Sequence, residues 1–117
     1  MVRERLVSLF SELSGVTVVG QAATAYDAIT AIPPLKPDVV VLDISLPVGN
    51  GLQVLQAIKR ERPAPLVIML TNFAHEQYRQ RCLKLGADYF FDKSREFEKV
   101  LEVLTEVVEQ EDQLRTA

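Results

Sequence analysis

The chain has 117 residues, 48% of them hydrophobic and 25% charged, with a formal net charge of -3. That length suits one domain with a buried core, and the acidic balance argues against direct nucleic-acid binding, which needs clustered Lys and Arg. No apolar run approaches the ~18 residues of a membrane span, Glu4 and the lack of a small-residue cleavage site make MVRERLVSLF a poor signal peptide, and the lone Cys82, which cannot form an internal disulfide, fits a reducing cytoplasm.

In chain order, Leu6, Phe10 and Leu13 share one helical face and predict an amphipathic helix over 2–13, ended by Ser14-Gly15. VTVVGQA (16–22) reads as a strand, and a helix over about 24–32 is expected to stop at Pro33-Pro34. DVVVLD (38–43) is too continuously apolar for a half-exposed strand and predicts one buried on both faces, as in a parallel sheet covered by helices. A loop over 43–51 leads to a helix carrying Leu52, Leu55 and Ile58, which ends before RPAP. LVIMLT (66–71) is a second buried strand, and the helix over about 75–85 ends at Gly86, a plausible left-handed cap. DYFF (88–91) is a short strand. Phe97, Val100, Leu101, Leu104, Val107 and Val108 form the stripe of a last helix. The order α-β-α-β-α-β-α-β-α predicts right-handed crossovers and a three-layer α/β fold around a parallel sheet. It begins, unusually for such a fold, in a helix.

In open parallel sheets, function collects at the carboxyl ends of the strands. Those ends carry Asp43, Thr71 and Lys93. Any one of them alone reads as an ordinary cap or turn residue. A carboxylate, a hydroxyl and an ammonium after three separate strands are harder to assign to turns.

At these residues the chain resembles the receiver domain of two-component response regulators, over nearly its whole length. LDISLPVGNGL places Pro47 four and Gly51 eight residues after Asp43, VIMLT carries Thr71, and GADYFFDKS looks like the family's Gly-Ala-x-x-aromatic-x-x-Lys segment. The resemblance implies a flavodoxin-like (CheY-like) sheet in the order 2-1-3-4-5. It implies that Asp43 accepts a phosphoryl group from a histidine kinase or phosphotransfer protein, that Thr71 hydrogen-bonds the phosphoryl oxygens and that Lys93 pairs with them. The residue types suit acyl-phosphate chemistry, in which a carboxylate nucleophile needs a cation and donors around the group in transit. It also implies that Asp43 and the backbone carbonyl of Ser45 hold Mg²⁺, and that Thr71 and Phe90 form the switch. Signalling would run by conformational change at the face of the fourth helix, last strand and last helix, to a downstream protein partner. On this reading the chain is a phospho-acceptor rather than an enzyme in its own right.

Other residues read plainly. His75 lies in a polar stretch with no partner at ligand spacing and suits a solvated surface. Cys82 shares a helical face with Tyr78 and Leu85 and suits small core filler. Tyr89, Phe90 and Phe91 are first of all strand formers. Glu98, Glu102, Glu106 and Glu109 make a solvated face, raised to a candidate partner surface only by the resemblance.

The chain departs from the family at its start. A typical receiver opens with a hydrophobic strand ending in two acidic residues, central in the sheet, and about fifteen residues of that kind, one strand and its turn, have no counterpart here. Glu4 and Glu12 belong to the first helix and cannot replace the pair. The expectation is therefore residues 1–117 as one N-terminally incomplete receiver domain with no effector domain, since QEDQLRTA trails off. Mg²⁺ should bind weakly with one side-chain carboxylate left. The four remaining strands should close the gap, with VTVVGQA against DVVVLD, or borrow a strand, because exposed strand edges invite self-association such as a homodimer. Three explanations stay open: an upstream strand not included in the sequence, a phosphorylation-independent pseudo-receiver acting as a protein-interaction module, or a partner chain filling the gap. A haloacid-dehalogenase-type phosphatase would also place an Asp after an apolar strand, but it wants a second Asp where this chain has Ser45.

Overall fold

The computed structural model describes residues 2–43, 51–72 and 75–116, with side chains described inside 7–110. In chain order the elements are α1 (Val2–Ser11), α2 (Ala25–Leu35), β1 (Val39–Leu42), α3 (Gly51–Ile58), β2 (Leu66–Thr71), α4 (Glu76–Lys84), β3 (Tyr89–Asp92) and α5 (Phe97–Thr116). The chain divides into two compact units, one of Gly20–Phe97 and one of Met1–Val19 with Glu98–Ala117.

In the unit Gly20–Phe97 the three strands form one parallel sheet in the order β1-β2-β3. The continuous apolar reading of β2 is explained by burial on both faces: Val67, Ile68, Met69 and Leu70 are all within 1% of complete burial. Side chains alternate across a strand, so Leu42, Met69 and Phe90, in register with one another, point to one face. There they join Ala25 and Ala28 of α2, Val54, Leu55 and Ile58 of α3, and Cys82 of α4 in one core. Cys82 is thus core filler as expected, with Tyr78 and Leu85 packed beside it.

Three expectations are corrected. Residues 16–22 form no strand, and the described residues contain three strands rather than four. Strand propensity does not make a strand without an edge to pair with, and among the described residues VTVVGQA does not pair with β1. The sheet has therefore not closed in the way the sequence suggested. Second, α2 does not stop at Pro33-Pro34 but runs through both to Leu35. Prolines at these positions remove bonds only to the carbonyls of Ile29 and Thr30, both on exposed residues within reach of water. The real stop is Lys36, left-handed at φ 47°, whose N–H donates to Ile32 O, with Pro37 after it. At its other end Thr24 caps α2, its Oγ1 accepting the Asp27 N–H at 3.1 Å. Third, α1 ends at Ser11, so Glu4 lies within it and Glu12 in the turn that follows.

Gly86 does cap α4. Its φ of +108° lets its N–H reach Leu83 O at 3.1 Å while the Ala87 N–H reaches Cys82 O at 2.9 Å, the paired bonds of a Schellman motif. The chain then enters β3 through Asp88. The Asp88 N–H donates to Val67 O at 2.9 Å, and its Oδ2 accepts the Val67 N–H at 2.8 Å, so this one residue closes the first rung between β2 and β3. Lys59 Nζ donates to the same Oδ2 and to Pro65 O, each at 2.8 Å. These bonds tie the end of α3 to the amino-terminal edge of the sheet.

In the other unit α5 buries Val100, Val103 and Leu104. The turn after α1 passes close to α5 at Gly15, where a Cβ would stand 2.6 Å from Val108 Cγ1. Among the described residues no helix is long and apolar enough to cross a membrane.

Candidate functional site

Parallel pairing places all three strand ends at one edge. Asp43 follows Leu42, the last residue of β1, Thr71 closes β2, and Lys93 follows Asp92, the last residue of β3. The side chains of two of the three meet: Lys93 Nζ donates to Asp43 Oδ2 at 3.0 Å. Lys93 is also tied to the third through the backbone, its N–H donating to Thr71 O at 2.9 Å. Thr71 is fully buried, while the Lys93 and Asp43 side chains keep 18% and 24% exposure. The pair is therefore sheltered enough for its charges to be felt and open enough to be reached. In that intermediate setting a unit-charge interaction exceeds its value in bulk water several-fold.

A turn after β3 holds Lys93 from the other side. Asp92 Oδ1 accepts the Ser94 N–H at 2.9 Å and the Ser94 hydroxyl at 2.7 Å, an Asx turn. The N–H groups of Glu96 and Arg95 donate to Asp92 O at 2.7 and 3.3 Å, and Glu96 Oε1 accepts the Asp92 N–H at 3.1 Å. The bonds from the Ser94 side chain and backbone hold the Asp92 carboxyl below the ordinary aspartate range. Sequence reasoning passed over Asp92 and Glu96. The available signal was Asp-x-Ser, an Asx-turn pattern, immediately before a helical stripe.

Of the remaining candidates, Phe90 lies 5% exposed in the core beside Met69, on the same sheet face as Thr71. Ser45 and Pro47 fall outside the described residues. Gly51 opens α3 and is buried. His75 is exposed at the start of α4, its ring centroid 6.0 Å from that of Tyr78.

A Mg²⁺ ion prefers near-octahedral oxygen ligands. Among the described residues no three His, Cys, Asp or Glu side chains converge to hold a metal, and the carboxylate at the strand ends already has an ammonium at 3.0 Å. These donors alone do not make a Mg²⁺ site.

Residues 1–105 match the family model described as the response regulator receiver domain. The chain is 35% identical over 103 residues to the transcriptional regulatory protein YvfU of Bacillus subtilis (strain 168), covering 88% of this chain and 52% of that protein. It is similar to the DNA-binding response regulator, LuxR family, from Staphylococcus aureus, with a TM-score of 0.82, 28% identity and coverage of 92% of this chain and 90% of that one. It is also similar to a chain of the CheX-CheY-BeF3-Mg complex from Borrelia burgdorferi, with a TM-score of 0.74, 27% identity and coverage of 88% and 81%. The chain spans about half the length of the curated relatives at the head of its matches, 52% and 53%. The neighbours share the flavodoxin-like α/β fold, of which this chain carries three parallel strands.

Proposed function

The chain belongs to the response regulator receiver family of two-component systems, and from that premise we propose that Asp43 accepts a phosphoryl group from a histidine kinase or phosphotransfer protein. The observation that carries this reading is the 3.0 Å contact of Lys93 Nζ with Asp43 Oδ2 at the carboxyl edge of the sheet. An Asp43 oxygen attacks phosphorus. The new O–P bond forms as the donor's bond to phosphorus breaks, and the electron pair leaves with the donor's leaving group. The group in transit carries its charge on three oxygens. The Lys93 ammonium, already beside the nucleophile, swings to offset that charge, and the Thr71 hydroxyl donates to a phosphoryl oxygen. No step is assigned to Mg²⁺, which we expect this set of residues to bind weakly. Readout follows from coupling Thr71 and the aromatic Phe90 to the surface of α4 and β3, where a downstream protein binds. The 117 residues act as one receiver domain in the cytoplasm, without direct nucleic-acid contact.

The test is intact mass after incubation with acetyl phosphate and Mg²⁺, in which one phosphoryl group adds about 80 Da. Labelling should be poor in the 117-residue chain and strong in a form extended by a strand ending in two acidic residues. Asp43→Asn should abolish it. An extended form that stays unlabelled, or an Asp43→Asn form that labels like the parent, would sink the assignment. Strong labelling of the 117-residue chain would overturn the expectation of weak Mg²⁺ binding.

A further inference from the structure

We propose that Asp92 and Glu96 are positioning residues that deliver the Lys93 ammonium to Asp43 by locking the backbone around it. The inference rests on the reading of Lys93 as the phosphoryl-pairing cation, and it concerns how that cation is aimed.

A lysine reaches its target through a flexible four-carbon stem with many rotamers. The fold can aim it only by fixing where its Cα sits and how the backbone leaves it. Lys93 lies just past the end of β3, so the regular ladder fixes it on one side alone, through the Lys93 N–H to Thr71 O bond of 2.9 Å. On the other side the chain must leave the extended strand and begin a helix at Phe97, four residues on. A turn that tight, left to itself, would be mobile, and the point of attachment of Lys93 would move with it.

Five bonds within residues 92–96 prevent this. Asp92 is the hub: its Oδ1 takes the Ser94 N–H and hydroxyl at 2.9 and 2.7 Å, and its carbonyl takes the N–H groups of Arg95 and Glu96 at 3.3 and 2.7 Å. Glu96 closes the loop by accepting the Asp92 N–H at 3.1 Å with Oε1. Lys93 is the residue enclosed between them. One wall of the enclosure is anionic, yet the ammonium goes to Asp43 at 3.0 Å. The Asp92 carboxylate is turned toward Ser94, its Oδ1 taking both the N–H and the hydroxyl of that residue. The turn therefore fixes the position of Lys93 and leaves its charge available for the acceptor.

The experiment uses the reactivity of the Lys93 amine, which does not depend on phosphorylation. Reductive methylation of the folded chain, read by peptide mass spectrometry, gives a rate for Lys93 and, as internal references, for the exposed Lys36 and Lys84. Asp92→Ala and Glu96→Ala should each raise the Lys93 rate roughly three- to tenfold, the factor carried by one net hydrogen bond, with the references unchanged. Asp92→Asn and Glu96→Gln keep an accepting oxygen and should return the rate to within about twofold of the parent. Ser94→Ala removes only the hydroxyl bond and should give a smaller rise, which keeps the test informative if an alanine variant at Asp92 or Glu96 does not fold. A parental Lys93 rate in the alanine variants, or an equal rise at all three lysines, would overturn the positioning role. Failure of the underlying reading looks different: the parent stays unlabelled by phosphodonor in its extended form while the Lys93 rates still respond.

Discussion

Replacing Asp88 by alanine tests how the sheet is closed at the edge opposite the candidate site. The Asp88 carboxylate stands in for a missing strand residue by accepting the Val67 N–H at 2.8 Å, and Val67 is completely buried. Loss of that acceptor leaves a buried amide unsatisfied, a cost of about 1–3 kcal/mol. The ion pair with Lys59 is worth less, because the Asp88 side chain is 39% exposed; a pair so open to water contributes about 0–1 kcal/mol. Lys59 also keeps its bond to Pro65 O. The sum is about 2 kcal/mol, dominated by the amide. With a urea slope of about 1–3 kcal/mol per M for a small domain, the unfolding midpoint should fall by about 0.7–2 M. Asp88→Asn separates the two contributions, since it keeps an oxygen for Val67 and loses the charge. It should cost less than about 1 kcal/mol. An alanine variant that unfolds at the parental midpoint, or an asparagine variant as damaged as alanine, would refute the assignment of the cost to the Val67 amide.

Gly86→Ala should destabilise by about 1–2 kcal/mol in the same urea assay, because a side chain at φ +108° is strained; its Cβ would also press within 3.3 Å of Lys59 Cγ, whose far end is anchored. The turn at Asp92 should show acid sensitivity of a definite sign. Its carboxyl titrates below the ordinary value of 3.8, so the stabilisation from its charged form is fully present above that value and is lost as pH falls below it. Hydrogen exchange of the Ser94 amide should accelerate there relative to a distant reference amide, and Asp92→Asn should flatten the response; an unchanged pH response in that variant would count against it.

Much of the fold was legible in the sequence because burial on two faces leaves an unmistakable trace. LVIMLT is a continuous apolar run because β2 is covered on both sides, whereas DVVVLD, read the same way, forms a strand that buries Val40 and Leu42 and leaves Val39 and Val41 partly exposed. Parallel pairing then put Asp43, Thr71 and Lys93 at a single edge. The end of α4 was equally readable, since Gly86 occupies a φ that other residues avoid. What failed was whatever depends on a partner. VTVVGQA has the composition of a strand, but a strand exists only through the backbone beside it, and none of the described residues supplies one. Pro33-Pro34 looked like a helix stop because proline lacks a donor, and only the structure showed that the carbonyls left without one belong to exposed residues. The aiming of Lys93 was beyond sequence reasoning for a related reason. The residue types of Asp92 and Glu96 fit any solvated turn, and they acquire a role only when the turn folds back and places their oxygens on N–H groups within the same five residues. Local chemistry and periodicity are written along the chain. Which edge is paired, and which carboxylate meets which donor, is settled only when distant segments are brought within 3 Å of each other.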